Sequence, residues 1–191
     1  MLGPTWVHRW SYSTAKAVDE HLAFAYAATG LPVAIVRYFN SYGPRIDERG
    51  YGSVIARFAA QALAGEPLTV HGTGTQSRCF TYVDDTVRGT ILAAEAASPE
   101  GAVFNIGSRE EVTIAEVAEL VKEILGSASP VVRVPYEAYY GPGFEDTQRR
   151  VPEARARAIL GFEARITLRE GLGRTLTWCR QNYRAAGRST G

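Results

Sequence analysis

With 191 residues, 46% of them hydrophobic, the chain has room for one medium domain or parts of two and enough apolar residues for a core, which excludes wholesale disorder. A formal net charge of +1 leaves no basic stripe for nucleic acid, and no apolar run approaches the roughly 18 residues a membrane span needs. Cys79 and Cys179 lie far apart without metal-ligand spacing, so two reduced thiols are expected; with no signal-peptide core near Met1, the expected setting is soluble and cytoplasmic.

Residues 12–29 read as a helix, with Val18, Leu22, Ala25 and Tyr26 near helical spacing and Gly30 and Pro32 closing it. Residues 32–39 (PVAIVRYF) form a nearly continuous apolar run of strand length, as in a buried parallel strand. Residues 40–52 are loop-rich, and a helix follows over about 53–64. Short strands are expected at 68–71 and 78–82, joined through Gly72–Gln76 as a hairpin turn. Asp84 or Asp85 starts a helix to about Ala97, where aspartate suits a cap and the helix dipole. Residues 103–106 are strand-like. Thr113-x-x-Glu116 is a capping box that opens an amphipathic helix carrying Ile114, Val117, Val121, Ile124 and Leu125. Residues 131–134 make a strand and 136–150 an aromatic, glycine-rich loop. A short helix over 152–160 precedes a last one capped by Thr167, with Leu168, Leu172, Leu176 and Cys179 on one face. This alternation of strand and helix is an α/β signature.

Tyr12 and Lys16 head the first helix four residues apart, so they stack on one face. A phenol is a poor base at neutral pH, with a reference pKa of about 10, and a neighbouring ammonium favours the phenolate. Such a pair can act as a proton shuttle. Further along stand Arg37-Tyr38-Phe39-Asn40-Ser41-Tyr42-Gly43-Pro44-Arg45, then Gly72-x-Gly74-x-Gln76-x-Arg78 and Phe80-x-Tyr82-Val83-Asp84-Asp85. Phe104-Asn105-Ile106-Gly107 and Arg149-Arg150-Val151-Pro152 come last.

Six motifs in this order, spanning about Trp10 to Tyr183, resemble the extended short-chain dehydrogenases/reductases, specifically the nucleotide-sugar epimerases, dehydratases and decarboxylases. The resemblance implies the C-terminal part of a Rossmann-type doubly wound sheet plus a small α/β substrate-binding domain. The expected division is a residual Rossmann portion over 1–52 and a nucleotide-sugar-binding portion over 53–183, with the 103–106 strand returning to the Rossmann sheet. Residues 184–191 read as a frayed tail.

By the same resemblance, Tyr12 is the general base that takes the sugar 4-hydroxyl proton while hydride passes from C4 to NAD, and Lys16 supports the phenolate and binds the nicotinamide ribose. Tyr38 and Phe39 flank the nicotinamide. Asn40, Ser53, Val70, Arg78 and Arg150 contact a UDP-sugar; forked guanidinium donors suit its diphosphate. The implied activity is that of a UDP-sugar 4-epimerase working through a 4-keto intermediate, with UDP-glucuronate decarboxylase and 4,6-dehydratase as alternatives in that order. Tyr136, Tyr139, Tyr140 and Phe144 either line a sugar pocket or pack locally. Asp47-Glu48 reads as solvated loop, and His8, His21 and His71 receive no chemistry.

The chain also departs from the family. It carries no glycine-rich pyrophosphate loop; Gly72-Thr73-Gly74 is followed by Ser77 where the fingerprint needs glycine. Only eleven residues precede Tyr12, too few for the family's substrate-binding Ser/Thr. A C-terminal portion is therefore expected, either awaiting a partner chain that supplies the Rossmann half or standing as an inactive nucleotide-sugar-binding module. Self-association, as in the family's homodimers, is the other expected partnership.

Overall fold

The structure, a computed structural model, describes residues 5–7, 10–47, 53–98, 100–135 and 154–183. The chain opens with α1 (Trp10–Ala27), β1 (Ala34–Tyr38), β2 (Ser41–Tyr42) and α2 (Val54–Ala64). Then come β3 (Leu68–His71), β4 (Ser77–Cys79), β5 (Thr81–Tyr82) and α3 (Val83–Glu95). It closes with β6 (Ala102–Ile106), β7 (Glu111–Thr113), α4 (Ile114–Leu125), β8 (Val131–Val134), α5 (Arg155–Leu160) and α6 (Leu168–Asn182).

Local chemistry sets most helix ends. Ser53 caps α2 by accepting from Ala56 N, and Thr167 caps α6 by accepting from Glu170 N. At α4, Thr113 Oγ1 accepts from Glu116 N at 3.2 Å while Glu116 Oε2 accepts from Thr113 N at 2.7 Å, a reciprocal capping box. Gly126, at φ 63°, ends that helix in the left-handed conformation a side chain would resist.

The strands pair as ladders of two. β1 runs parallel to β6, from Ala34 opposite Ala102 to Tyr38 opposite Ile106. β2 is parallel to β5 and β3 to β8, whereas β4 is antiparallel to β7. Gly72–Gln76 is therefore not a hairpin turn: β3 and β4 have different partners, and the link carries the chain from one ladder to another. The strand expected at 78–82 is broken at Phe80 into β4 and β5 for the same reason. β2 and β7, two and three residues long, are too short to show periodicity in sequence.

Two cores result. The larger joins α2, β3, α4 and α6 through Ile55, Phe58, Leu68, Val117, Leu172 and Leu176. The smaller, around Phe104, Ile106, Ala93, Ala156 and Phe162, lies under the β1–β6 ladder. Gly171 lets α6 close onto the larger core: a Cβ there would overlap the Tyr42 hydroxyl and stand 2.9 Å from Tyr82 Cδ2. Tyr42 is buried and donates to Leu168 O, so it has nowhere to go. Gly171→Ala is expected to cost about 1–3 kcal/mol through overpacking, read as a lower urea midpoint at unchanged slope.

Helix α1 lies on the rest of the chain by an unexpected face. Its enclosed positions are Trp10, Ser13, Ala17, Glu20, Ala23 and Ala27, whereas Leu22 and Tyr26 are 54% and 61% exposed. The large apolar face read from sequence points away from both cores. The aspartates also differ from expectation. Tyr82, not an aspartate, occupies the cap position of α3, and its side chain makes no capping bond. Asp84 is exposed, 3.6 Å from Arg174. Asp85, only 2% exposed, accepts from Arg165 N at 2.8 Å, Ile166 N at 2.9 Å and Arg88 Nη2 at 2.6 Å. It staples α3 to the segment leading into α6.

No helix among the described residues is long and apolar enough to cross a membrane. Arg150 and the aromatic loop of residues 136–150 lie outside the described residues.

Candidate active site

One ion pair orients the site. Arg37 in β1 donates from Nε and Nη2 to the two oxygens of Glu20 in α1, at 2.7 and 2.6 Å. Glu20 is seven residues before the end of α1, and Arg37 is three residues into β1. Both spacings amount to about 10 Å, so the pair closes the connection between helix and strand at matched distances from its two ends. Tyr12, Lys16 and Glu20 repeat every four residues and share one stripe. Lys16 and Tyr12 lie about 6 and 12 Å along the helix axis from Glu20, toward its N-terminus. Tyr38, Phe39 and Asn40 stand at the carboxyl end of β1, where ligands gather in open α/β sheets, and the Glu20–Arg37 pair ties to that strand the helix that carries Tyr12 and Lys16.

Tyr12 is 71% exposed. The Lys16 ammonium lies 5.9 Å from the centroid of its ring and 2.8 Å from Asp19 Oδ2. The hydrogen bond that Lys16 donates to Asp19, then the Asp19 charge, holds the lysine above its ordinary range, so it is a cation at neutral pH. The Glu20 carboxyl lies below its ordinary range because Arg37 bonds it.

The end of β1 is tightly braced. Asn40 sits at φ 42°, a conformation uncommon outside glycine. Its amide donates to Cys79 O at 3.0 Å, and its carbonyl accepts from Thr81 N. The side chain thus has a protein partner, where the sequence reading looked to a ligand. Thr81, fully buried, donates from Oγ1 to Phe39 O and accepts from Ser108 N, tying β1, β5 and the loop after β6 together. Sequence reasoning missed Thr81; a lone threonine in a two-residue strand carries no signal. The Tyr38 hydroxyl is 2.9 Å from Thr90 Oγ1, which fixes this half-exposed ring against α3.

Through the Asn40–Cys79 bond the segment carrying Arg78 reaches the same end. Arg78, half-buried, donates from Nη1 to Ser77 O at 2.7 Å. Ser53 and Val70 sit on the larger core instead. Ser53 spends its hydroxyl on the α2 cap, and the Val70 side chain is enclosed, leaving backbone atoms as what it can offer a ligand. A separate cavity of about 240 Å³ opens between the loop after β6 and the approach to α6, lined by Asn105, Ser108, Arg109, Glu110, Arg157 and Arg165 among others. None of Tyr12, Lys16, Tyr38, Phe39, Asn40, Ser53, Val70 and Arg78 lines it, although Asn105 and Gly107 belong to one of the sequence motifs.

The arrangement combines a solvent-facing phenol, a cation one helical turn away, and aromatic, amide and guanidinium groups at a strand end. That set can move a proton to and from a hydroxyl on a polar, phosphorylated ligand. The family model for the NAD-dependent epimerase/dehydratase family matches residues 2–107. The UDP-N-acetyl-alpha-D-glucosaminuronate decarboxylase of Bacillus cytotoxicus is 42% identical over 182 residues, covering 95% of this chain and 56% of the relative. UDP-glucuronic acid decarboxylase 1 of Xenopus tropicalis is 37% identical over 174 residues, 89% of this chain and 39% of that protein. Among solved structures, the UDP-glucuronic acid 4-epimerase of Bacillus cereus, in complex with UDP-glucuronic acid and NAD, superposes with a TM-score of 0.78 at 32% identity. It covers 90% of this chain and 53% of that one. The chain thus spans about half the length of the relatives it matches.

Proposed function

The chain belongs to the NAD-dependent epimerase/dehydratase family, and within it we propose that this is the substrate-side part of an enzyme acting on a UDP-hexuronate through a 4-keto intermediate, with decarboxylation as the outcome. The observation that supports the reading is the Glu20–Arg37 pair, which ties the helix carrying Tyr12 and Lys16 to the strand that leads into Asn40. The three relatives described above are all named for UDP-uronates, which favours a 6-carboxylated sugar over UDP-glucose. Two of them are decarboxylases, which moves that outcome ahead of the epimerisation expected from sequence.

The residues present fit a nicotinamide dinucleotide. Lys16 offers an ammonium more than half exposed for a ribose diol, and Tyr38 and Phe39 stand at the same strand end. The hydride that leaves C4 and later returns to it is the chemistry bound NAD supplies. Tyr12 Oη takes the 4-hydroxyl proton as C4 becomes a ketone, and Lys16 stabilises the phenolate that prepares this step. The ketone makes the 6-carboxylate a β-keto acid. The C5–C6 bond breaks, carbon dioxide leaves, and the electron pair moves toward the 4-oxygen, where the Tyr12 phenol donates a hydrogen bond. C5 then takes a proton from water, and Tyr12 returns its proton to the 4-oxygen. Arg78 holds the diphosphate, with Arg150 as its companion.

UDP-glucuronate titrated into the isolated chain tests the binding half of this reading. Binding is expected, weakened by about 10-fold or more in Arg78→Ala, the loss of a charge-assisted contact. The isolated chain is expected neither to retain NAD nor to turn over. A polypeptide carrying the glycine-rich loop should restore turnover, with carbon dioxide and a UDP-pentose as products. Absence of both binding and restored turnover overturns the proposal. A 4-epimer without carbon dioxide replaces it with the second reading, a 4-epimerase, which the solved-structure neighbours favour.

A further inference from the structure

Lys16 stands between two acceptors on its own helix. Tyr12 is four residues before it and Glu20 four after, and residues at that spacing meet. A carboxylate attracts an ammonium more strongly than a neutral phenol does. An unengaged Glu20, already three-quarters enclosed, would draw Lys16 toward the helix C-terminus and away from Tyr12. It does not, because both its oxygens are bound by Arg37 from the neighbouring strand. Lys16 pairs with Asp19 instead, in a contact whose side chains are 58% and 60% exposed. Surface pairs of that kind are worth little and exchange readily.

We infer that Arg37 is a positioning residue for the Tyr12–Lys16 pair: it withdraws Glu20 from Lys16 and so keeps the ammonium within reach of the phenol. The charges around the two groups divide accordingly. Asp19 and Tyr12 act on Lys16, whereas Arg37 and, more weakly, His21 act on Glu20. The same pair that sets the register of α1 on β1 thus also decides which partner the lysine keeps. This inference rests on the reading of Tyr12 and Lys16 as the proton-handling pair.

The test is a double-mutant cycle on the titration of Lys16. The chain has two lysines, Lys16 and Lys122, so ¹³C reductive methylation gives two side-chain signals, with Lys122 as internal reference. Asp19→Asn is expected to lower the Lys16 midpoint by a fraction of a pH unit, because Arg37 keeps Glu20 from replacing the lost carboxylate. In the Arg37→Gln background the same change is expected to have a smaller effect, since Glu20 is then released to pair with Lys16. Equal drops in both backgrounds, with Lys122 unmoved, overturn the inference. Should Arg37→Gln fail to fold, Asp19→Asn alone decides: a drop supports the inference, and an unchanged midpoint means Glu20 has stepped in and overturns it. These readouts do not depend on turnover. An active Tyr12→Phe enzyme would remove the proposed function and leave the role of Arg37 standing; equal drops would do the reverse.

Discussion

Tyr12→Phe is expected to lower turnover of the reassembled enzyme by about 10²–10⁴-fold, the usual contribution of a positioned general base. The substitution removes one oxygen and keeps the ring. Because Tyr12 is largely exposed and belongs to neither core, the fold should be unaffected. The phenol handles a proton; it does not anchor the diphosphate, so the dissociation constant for UDP-glucuronate should hold within about threefold. The expected signature is therefore a fall in kcat with binding preserved. Binding is measured by calorimetry on the chain, and turnover after adding a polypeptide with the glycine-rich loop. A kcat within threefold of the parent would remove Tyr12 from the chemistry.

The largest loss of stability is expected from Asp85→Ala. Its carboxylate takes two backbone N–H groups, from Arg165 and Ile166, and the Arg88 guanidinium, which also donates to Glu163 O. Truncation leaves these donors facing an emptied, enclosed site. The cost of stranding such partners is about 3–5 kcal/mol. For a chain of this size, that lowers Tm by on the order of 10 °C. Asp85→Asn, which keeps one acceptor oxygen and the volume, should fall between. A loss under about 1 kcal/mol in the alanine variant would show that the staple is not structural.

Asp85 also shows what the sequence made legible and what it hid. The pair Asp84-Asp85 at a helix start fits a cap, and the local pattern supports nothing more. Its two backbone partners lie 80 and 81 residues away, and no local rule reaches them. The capping residues Thr113 and Thr167 were legible because each bonds within three residues of itself. The buried face of α6 was legible because it repeats at helical spacing next to a large core. On α1 the same periodicity misled, since a stripe of large residues records that a face is apolar and not which surface it meets. At the site, the spacing of Tyr12 and Lys16 announced their shared face. The role of Arg37 was hidden, because its carboxylate partner belongs to another element.

Among the described residues, every ladder joins strands that are remote in sequence. The closest partners, Cys79 and Glu111, are 32 residues apart, and Ala34 meets Ala102 across 68. No strand can find its mate through a tight turn, so each pairing must first meet the entropy of closing a long loop. Chains with such non-local contacts fold in milliseconds to seconds, not microseconds. The capped helices α2, α4 and α6 can form locally and early, and Phe58, Val117 and Leu172 let them collapse together before any ladder is complete. The larger core is then the natural nucleus. The β1–β6 ladder, closed across 68 residues and packed on the smaller core, is expected to form after that nucleus, read as later amide protection in pulse-labelling exchange.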